Sequence, residues 1–126
     1  MKKLLMCLLA MVGLTACGQS SFEETDVQGF SVLLDSANVV LLDVRSVAEF
    51  EEGHLKGAVN IDQSQDDFIE QVKLKLSAEK TIAVYCRSGR RSASAAKRLA
   101  AEGYKCVNLK GGIVAWKEAG MPVECP

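Results

Sequence analysis

The sequence predicts a three-layer α/β domain, with a central, mostly parallel sheet of four to five strands and helices on both faces. Apolar segments at residues 39–44, 81–85 and 105–109 are predicted strands. Apolar runs without alternation are typical of strands that are covered on both faces. Helical patterns separate these strands, and strands joined through helices form the crossover connections of a parallel sheet. At 126 residues, the chain has the length of one such domain.

The first 16 residues are predicted to be a signal peptide that does not belong to the fold. A basic start at residues 1–3 precedes an apolar run at residues 4–14, which is too short to span a bilayer. Small residues then lead into a cysteine, in the order Leu14-Thr15-Ala16-Cys17. These are the three parts of a secretory signal.

The four residues that end at Cys17 resemble the lipobox of bacterial lipoproteins. The resemblance implies that Cys17 carries lipid, begins the mature protein and anchors it to a membrane of the cell envelope. An Asp after the cysteine favours inner-membrane retention in enterobacterial lipoproteins, and Gly18 stands there instead. The resemblance therefore implies the periplasmic face or the outer membrane if the cell is Gram-negative. A plain secretory signal with a chance cysteine is the alternative.

Residues 17–25 are predicted to be a polar tether, and residues 26–126 are predicted to be the folded domain. Apolar periodicity and glycine stops predict the order of elements in that domain. Helices and strands alternate as helix 30–34, strand 39–44, helix 47–52, strand 58–61, helix 66–76, strand 81–85, helix 92–102, strand 105–109 and helix 113–119.

The charge of the chain favours a small anionic ligand over a polyanion. Formal net charge is -1, with 15 basic and 16 acidic residues, so no whole-chain field attracts nucleic acid. Residues 87–98 nevertheless contain five basic side chains and no acidic one. An anionic substrate could use this local positive stretch.

The segment most informative about chemistry starts where strand 81–85 ends. Cys86 follows the strand, and a short loop then leads into the alanine-rich helix. Such a loop can turn backbone N–H groups inward, and the helix start adds partial positive charge. Such surroundings favour thiolate over thiol. We therefore predict Cys86 to be a nucleophile beside an anion-binding loop formed by Arg87, Ser88, Gly89, Arg90 and Arg91. The alternative is an inert, buried cysteine beside a solvated basic loop.

The remaining cysteines leave the disulfide pattern open. The mature domain would contain Cys86, Cys106 and Cys125, so at least one thiol stays unpaired unless it bonds another molecule. A disulfide between Cys106 and Cys125 would leave Cys86 free. The favoured expectation is that Cys106 and Cys125 are independent, buried thiols.

Four motifs in order resemble those of a single-domain rhodanese. They are Leu42-Asp43-Val44-Arg45 with Glu49-Phe50, the segment from Gly53-His54 to Asn60-Ile61, the loop from Cys86 to Arg91, and Gly111-Gly112 with Trp116. Together the motifs extend over about residues 30–124, which is nearly the whole mature domain. Each motif alone is weak, and their order along the chain makes the resemblance specific.

The resemblance implies a sulfurtransferase that acts in two steps. The thiolate of Cys86 would take sulfur from a small anionic donor such as thiosulfate and become a persulfide. A thiophilic acceptor, either cyanide or a thiol such as one on a protein, would then remove that sulfur. The resemblance gives a chiefly structural role to Asp43, Arg45, Glu49 and His54. Trp116 is expected to be an ordinary core residue.

Two other functions share this fold. Many rhodanese-like domains are non-catalytic persulfide carriers or sensing modules. The other alternative is a phosphatase or arsenate reductase on the same fold. Cell-cycle phosphatases of the dual-specificity type have a loop one residue longer, with its closing arginine six positions after the cysteine, where this chain has Ser92. The shorter loop suits a single sulfur atom better than a tetrahedral oxyanion. No metal-ligand spacing or nucleotide-binding motif is present in the sequence, so neither a metal nor another cofactor is expected.

Overall fold

The computed structural model describes residues 21–126, which form one five-stranded sheet flanked by helices. All strand pairs are parallel, and the strand order is β1-β5-β4-β2-β3. The elements in chain order are β1 (Glu23–Thr25), α1 (Val27–Leu33), β2 (Val39–Asp43), α2 (Val47–Glu52), β3 (Val59–Asn60), α3 (Phe68–Lys75), β4 (Thr81–Tyr85), α4 (Arg90–Ala101), β5 (Cys106–Leu109) and α5 (Gly112–Glu118). The predicted parallel α/β architecture is confirmed.

The prediction of a tether up to residue 25 is wrong for its last part. Glu23–Thr25 form the edge strand β1, which pairs with β5. The segment is polar because it lies at the edge of the sheet, where Glu23 and Glu24 are exposed. The predicted signal peptide at residues 1–16 and the lipidated Cys17 lie outside the described residues.

Two apolar clusters cover the two faces of the sheet, because successive side chains of a strand point to opposite sides. Leu42, Val84 and Cys86 belong to one cluster with α3 and α4. Leu41 and Tyr85 belong to the other cluster with α1 and α5. This burial on both faces explains why β2 and β4 have no alternating pattern.

The carboxyl ends of the central strands meet at one edge of the sheet. Asp43 at the end of β2 is the register partner of Tyr85 at the end of β4. Val44 and Cys86 follow directly after these two residues in the sequence. They continue side by side past the strand ends, since Val44 N–H donates to the Tyr85 carbonyl over 3.2 Å. Ligand sites of open parallel sheets form at this edge.

Candidate active site

Cys86 lies at the end of β4, where its side chain is only 1% exposed. Its Sγ accepts hydrogen bonds from Gly89 N–H at 3.1 Å, Ser92 N–H at 3.3 Å and the Ser92 hydroxyl at 3.3 Å. The inward-facing N–H groups that the sequence predicted are therefore present. We call this arrangement around the sulfur, formed by residues 86–92, the cradle.

Gly89 allows the cradle to close. Its φ is +101°, in the left-handed region that glycine tolerates best. It also precedes α4 as the N-cap. A side-chain carbon at this position would meet Gly111 N at 3.2 Å and the Leu109 carbonyl at 3.3 Å. Gly89 thus satisfies both a backbone and a packing requirement.

The pKa of the Cys86 thiol reflects opposing effects. Burial raises this pKa, because an apolar environment disfavours the charged sulfur. Hydrogen bonds from the hydroxyl and N–H of Ser92 and from the N–H groups of Gly89 and Ser88 lower it. The hydrogen bonds prevail, and the pKa of Cys86 lies below its ordinary value. The cradle therefore favours thiolate.

Arg91, predicted as part of the anion-binding loop, is paired with a carboxylate in the structure. Its guanidinium donates to both carboxylate oxygens of Glu49 at 2.9 Å. Glu49 also completes the capping box of α2 with Ser46. Hydrogen bonds from Arg91, against an opposing burial effect, lower the pKa of Glu49 to about 2. Arg91 therefore connects α4 to α2.

Arg87, Ser88 and Arg90 are exposed around the cradle. Their side chains lie on the same short loop as the buried sulfur, so an approaching anion would meet two cations that are open to solvent. The three arginines of the loop therefore differ, because Arg87 and Arg90 are exposed whereas Arg91 forms an ion pair with Glu49.

The start of α5 supports the cradle from the other side. Ile113 N–H donates to the Cys86 carbonyl at 2.9 Å, and Val114 N–H donates to the Arg87 carbonyl at 3.2 Å. These bonds require a close approach of two backbones, and a side-chain carbon on Gly112 would collide with the carbonyl groups of Cys86 and Arg87. This contact explains why the motif Gly111-Gly112 lies where it does.

Asp43 and Arg45 form the ion pair expected of a structural motif. Asp43 is 0% exposed and Arg45 is 5% exposed, and their closest oxygen and nitrogen are 2.7 Å apart. The same Arg45 nitrogen donates to the Gly53 carbonyl at 2.7 Å. The Asn60 amide donates to the backbone carbonyls of both Asp43 and Arg45. These bonds join β2, β3 and the end of α2.

His54 makes structural contacts. Its ring stacks on Phe50 with centroids 3.8 Å apart, and its Nδ1 lies 2.9 Å from the Phe50 carbonyl. Its backbone exchanges two hydrogen bonds with Glu124, at 2.8 Å and 2.7 Å. These contacts fit the structural role predicted from the resemblance.

Trp116 and the other thiols are separate from the cradle's hydrogen bonds. Trp116 is 5% exposed, packs edge-to-face on Phe30 and donates from its indole nitrogen to the Pro122 carbonyl. Cys106 is a buried free thiol, and Cys125 is an exposed free thiol. The expectation that both are buried is therefore wrong for Cys125, which belongs to the exposed carboxyl-terminal segment.

Two residues of this site are not among those predicted from the sequence. Ser92 marks the position where the phosphatase loop has arginine, and in the structure its N–H and hydroxyl both contact the sulfur. Its place six residues after Cys86, within the first turn of a helix, was the available signal. Asn108 in β5 donates to the Gly89 carbonyl at 3.2 Å. No local sequence signal connects it to the loop.

Among residues 21–126, no group of three or more His, Cys, Asp or Glu side chains is placed to hold a metal ion. No helix in that part of the chain has both the length and the apolar character needed to cross a membrane.

The chain is similar to known proteins along most of its length. Residues 26–119 match the rhodanese-like domain family. A protein named sulfurtransferase from Allochromatium vinosum is 34% identical over 95 residues, which cover 75% of this chain and 86% of that protein. Thiosulfate sulfurtransferase 18 from Arabidopsis thaliana is 38% identical over 110 residues, covering 78% of this chain and 80% of that protein. The crystal structure of a rhodanese-related protein from Thermoplasma volcanium aligns with a TM-score of 0.75 and 30% identity, over 83% of this chain and 100% of that one.

Proposed function

The chain belongs to the rhodanese-like family of sulfurtransferases and sulfur carriers, and from this we propose that it transfers sulfane sulfur through a persulfide on Cys86. The sulfur donor is thiosulfate or a similar small anion. The acceptor is a thiophile, either cyanide or a thiol. The observation that carries the proposal is the convergence of Gly89 and Ser92 hydrogen bonds on a single sulfur atom.

The first step forms the persulfide. The Cys86 thiolate attacks the outer sulfur of thiosulfate, a new S–S bond forms, and the S–S bond of thiosulfate breaks. Sulfite leaves with the electron pair of the broken bond, so the total charge of -3 is the same on both sides. The N–H groups of the cradle stabilise negative charge on sulfur without having to reorganise.

The second step restores the thiolate. The acceptor attacks the terminal sulfur of the persulfide, and the electron pair of the S–S bond returns to Cys86. With cyanide the product is thiocyanate. Because the two substrates react in turn with one covalent intermediate, the kinetics are of the ping-pong type.

The electrostatics of the loop suit an anionic sulfur donor. Arg87 and Arg90 are exposed beside the cradle, where they attract the sulfonate end of thiosulfate. Arg91 is held by Glu49 at 2.9 Å, so its guanidinium is less available to the donor. Cys86 is 1% exposed, which favours a donor with a slender reacting end.

The test replaces the proposed nucleophile. Cys86→Ser is expected to lower thiosulfate:cyanide transfer by roughly a thousandfold or more, because a serine hydroxyl forms no persulfide. Thiocyanate formation measures the activity, and circular dichroism checks the fold. The matched control is Cys125→Ser, which removes an exposed thiol outside the cradle and is expected to keep full activity. Parental activity in Cys86→Ser would place the nucleophile elsewhere.

The same assay series separates the two other functions that share this fold. A persulfide carrier would gain one sulfur on the Cys86 peptide by mass spectrometry but release it to cyanide only slowly. A phosphatase would hydrolyse an aryl phosphate faster than it transfers sulfur from thiosulfate. The proposed sulfurtransferase both gains the sulfur and passes it on, and shows little phosphate hydrolysis.

The proposal includes attachment to the cell envelope through lipid on Cys17. It is supported by the basic start, the apolar run and the small residues that precede Cys17 in the sequence. More than one acyl chain is needed for lasting attachment, and lipoprotein modification supplies it.

A further inference from the structure

Asn108 is a buried polar residue in an interior strand of the sheet. It is 0% exposed and lies in β5, where its register partners are Val84 in β4 and Glu24 in β1. Cys106, two positions earlier on the same face of β5, belongs to an apolar core cluster. A buried amide destabilises the fold unless hydrogen bonds compensate for lost water. The hydrogen-bond partners of the Asn108 amide therefore decide whether its burial is compensated.

The amide nitrogen of Asn108 has two partners. It donates to a carboxylate oxygen of Glu24 at 3.1 Å and to the Gly89 carbonyl at 3.2 Å. Both partners are acceptors, so the nitrogen and not the oxygen of the amide must face them. The amide oxygen is buried and has no hydrogen-bond partner among residues 21–126. The orientation of Asn108 thus serves Glu24 and Gly89 and leaves its own oxygen unsatisfied.

Gly89 is the residue through which Asn108 reaches the cradle. The Gly89 N–H donates to Cys86 Sγ at 3.1 Å. Its carbonyl accepts from Ala93 N–H at 3.1 Å and from the Asn108 amide. Gly89 has the backbone freedom of glycine at a φ of +101°, so a contact from outside the helix restricts its orientation.

We propose that Asn108 is a positioning residue for Cys86. The Asn108 amide holds the Gly89 carbonyl so that the Gly89 N–H points at the Cys86 sulfur, and Glu24 orients the Asn108 amide. The proposal deepens the proposed function and rests on it, since it treats Cys86 as the reacting thiol. Asn108 itself has no hydrogen bond to the sulfur. An apolar residue of similar size would fill the same space without an unsatisfied oxygen, so stability alone does not account for the amide.

The test uses Asn108→Leu, which approximately keeps the volume and removes the amide. The readout is the alkylation rate of Cys86 by iodoacetamide in the reduced full chain, measured at several pH values by peptide-resolved mass spectrometry. The midpoint of the rate profile is expected to move to higher pH. The rate at pH 7 is expected to fall roughly threefold to tenfold, as one hydrogen bond to the thiolate weakens.

Thermal denaturation distinguishes positioning from a merely structural role. Asn108→Leu is expected to leave the melting temperature unchanged or higher, because no buried amide oxygen remains. A lower melting temperature with an unchanged alkylation profile would overturn the proposal. If Asn108→Leu does not fold, Asn108→Ser provides the same test, since its short hydroxyl is not expected to reach Gly89. An unchanged profile in Asn108→Ser would equally overturn it.

The control is Cys106→Ala, a change on the same face of the same strand with no hydrogen bond to the loop. Its alkylation profile at Cys86 is expected to match that of the parent. Alkylation does not require sulfur transfer, so the two proposals fail separately. If Asn108→Leu shifts the alkylation profile but the parent chain does not transfer sulfur, only the proposed function is contradicted. If the parent chain transfers sulfur but Asn108→Leu leaves the profile unshifted, only the role of Asn108 is contradicted.

Discussion

Glu49 has two structural roles, a helix cap and an ion pair, and only the folded structure shows that one side chain fills both. It caps α2 together with Ser46, and its carboxylate accepts from the two terminal guanidinium nitrogens of Arg91 across the carboxyl edge of the sheet. The resemblance predicted only that Glu49 is structural. Its partner lies 42 positions away in the chain, so the ion pair is visible only in the folded protein.

Glu49→Gln is expected to lower the free energy of unfolding at pH 7. The folded pKa of Glu49, about 2, lies below its ordinary value of 4.5, so the charged group stabilises the fold above pH 4.5, and this stability is lost as pH falls towards 2. The effect is about 1 kcal/mol, since the Arg91 side chain is 38% exposed and screened by solvent.

Urea denaturation at pH 7 and pH 3 measures this effect. The difference between the parent and Glu49→Gln should be smaller at pH 3 than at pH 7. Glu51→Gln, which changes an exposed carboxylate of the same helix, is the control and should alter stability little at either pH. A difference for Glu49→Gln that does not depend on pH would contradict the ion-pair explanation.

At the scale of elements, the site depends on how α5 docks against the loop after β4. Its first N–H groups hold the carbonyls of Cys86 and Arg87 at 2.9 Å and 3.2 Å. The approach is so close that only a glycine fits at the start of α5. The sequence places Gly111-Gly112 between strand 105–109 and helix 113–119, and the structure adds that the second glycine allows two backbones to meet.

Gly112→Ala is expected to destabilise the fold and distort the cradle. Its side-chain carbon would collide with backbone atoms that cannot move aside independently. We expect a loss of about 2 kcal/mol beyond that of Gly120→Ala, as typical of overpacking. Gly120 has a φ of +80° and open space around it, so this control isolates the collision from the backbone effect. Denaturant titration measures both, and equal losses would contradict the docking argument.

At the scale of the whole molecule, the start of β1 and the Cys86 cradle lie at opposite edges of the parallel sheet. The Cys86 cradle lies at the carboxyl edge of the sheet. The chain enters the sheet at the opposite edge, because β1 is parallel to β5 and its first residue, Glu23, pairs with Val107 near the start of β5. The proposed anchor at Cys17 precedes this entry in the sequence, so lipid attachment is not expected to alter the cradle.

Cys17→Ser is therefore expected to release the protein from the membrane fraction without changing sulfur transfer per molecule. Fractionation followed by an immunoblot measures the location, and thiocyanate formation by each purified form measures the activity. Cys7→Ser, inside the predicted signal peptide, is the control and should remain in the membrane fraction. Retention of Cys17→Ser in that fraction would contradict lipid attachment at this residue.

The sequence by itself determined the parallel α/β fold and the loop that holds Cys86. Apolar runs at residues 39–44 and 81–85 and the helical patterns between them are local signals, so they could be recognised without coordinates. The signal for β1 was absent, because a short, polar edge strand has little apolar pattern. Its place was decided by pairing with β5.

Only the tertiary structure decided which groups complete the site. Arg91 binds Glu49, and the Asn108 amide reaches the Gly89 carbonyl over 3.2 Å. Ser92 turns both of its hydrogen-bond donors toward Cys86. The physical reason is that a hydrogen bond depends on distance and direction between atoms. The order of residues in the chain fixes this distance and direction for neighbours in a helix or strand, but not for residues that packing brings together.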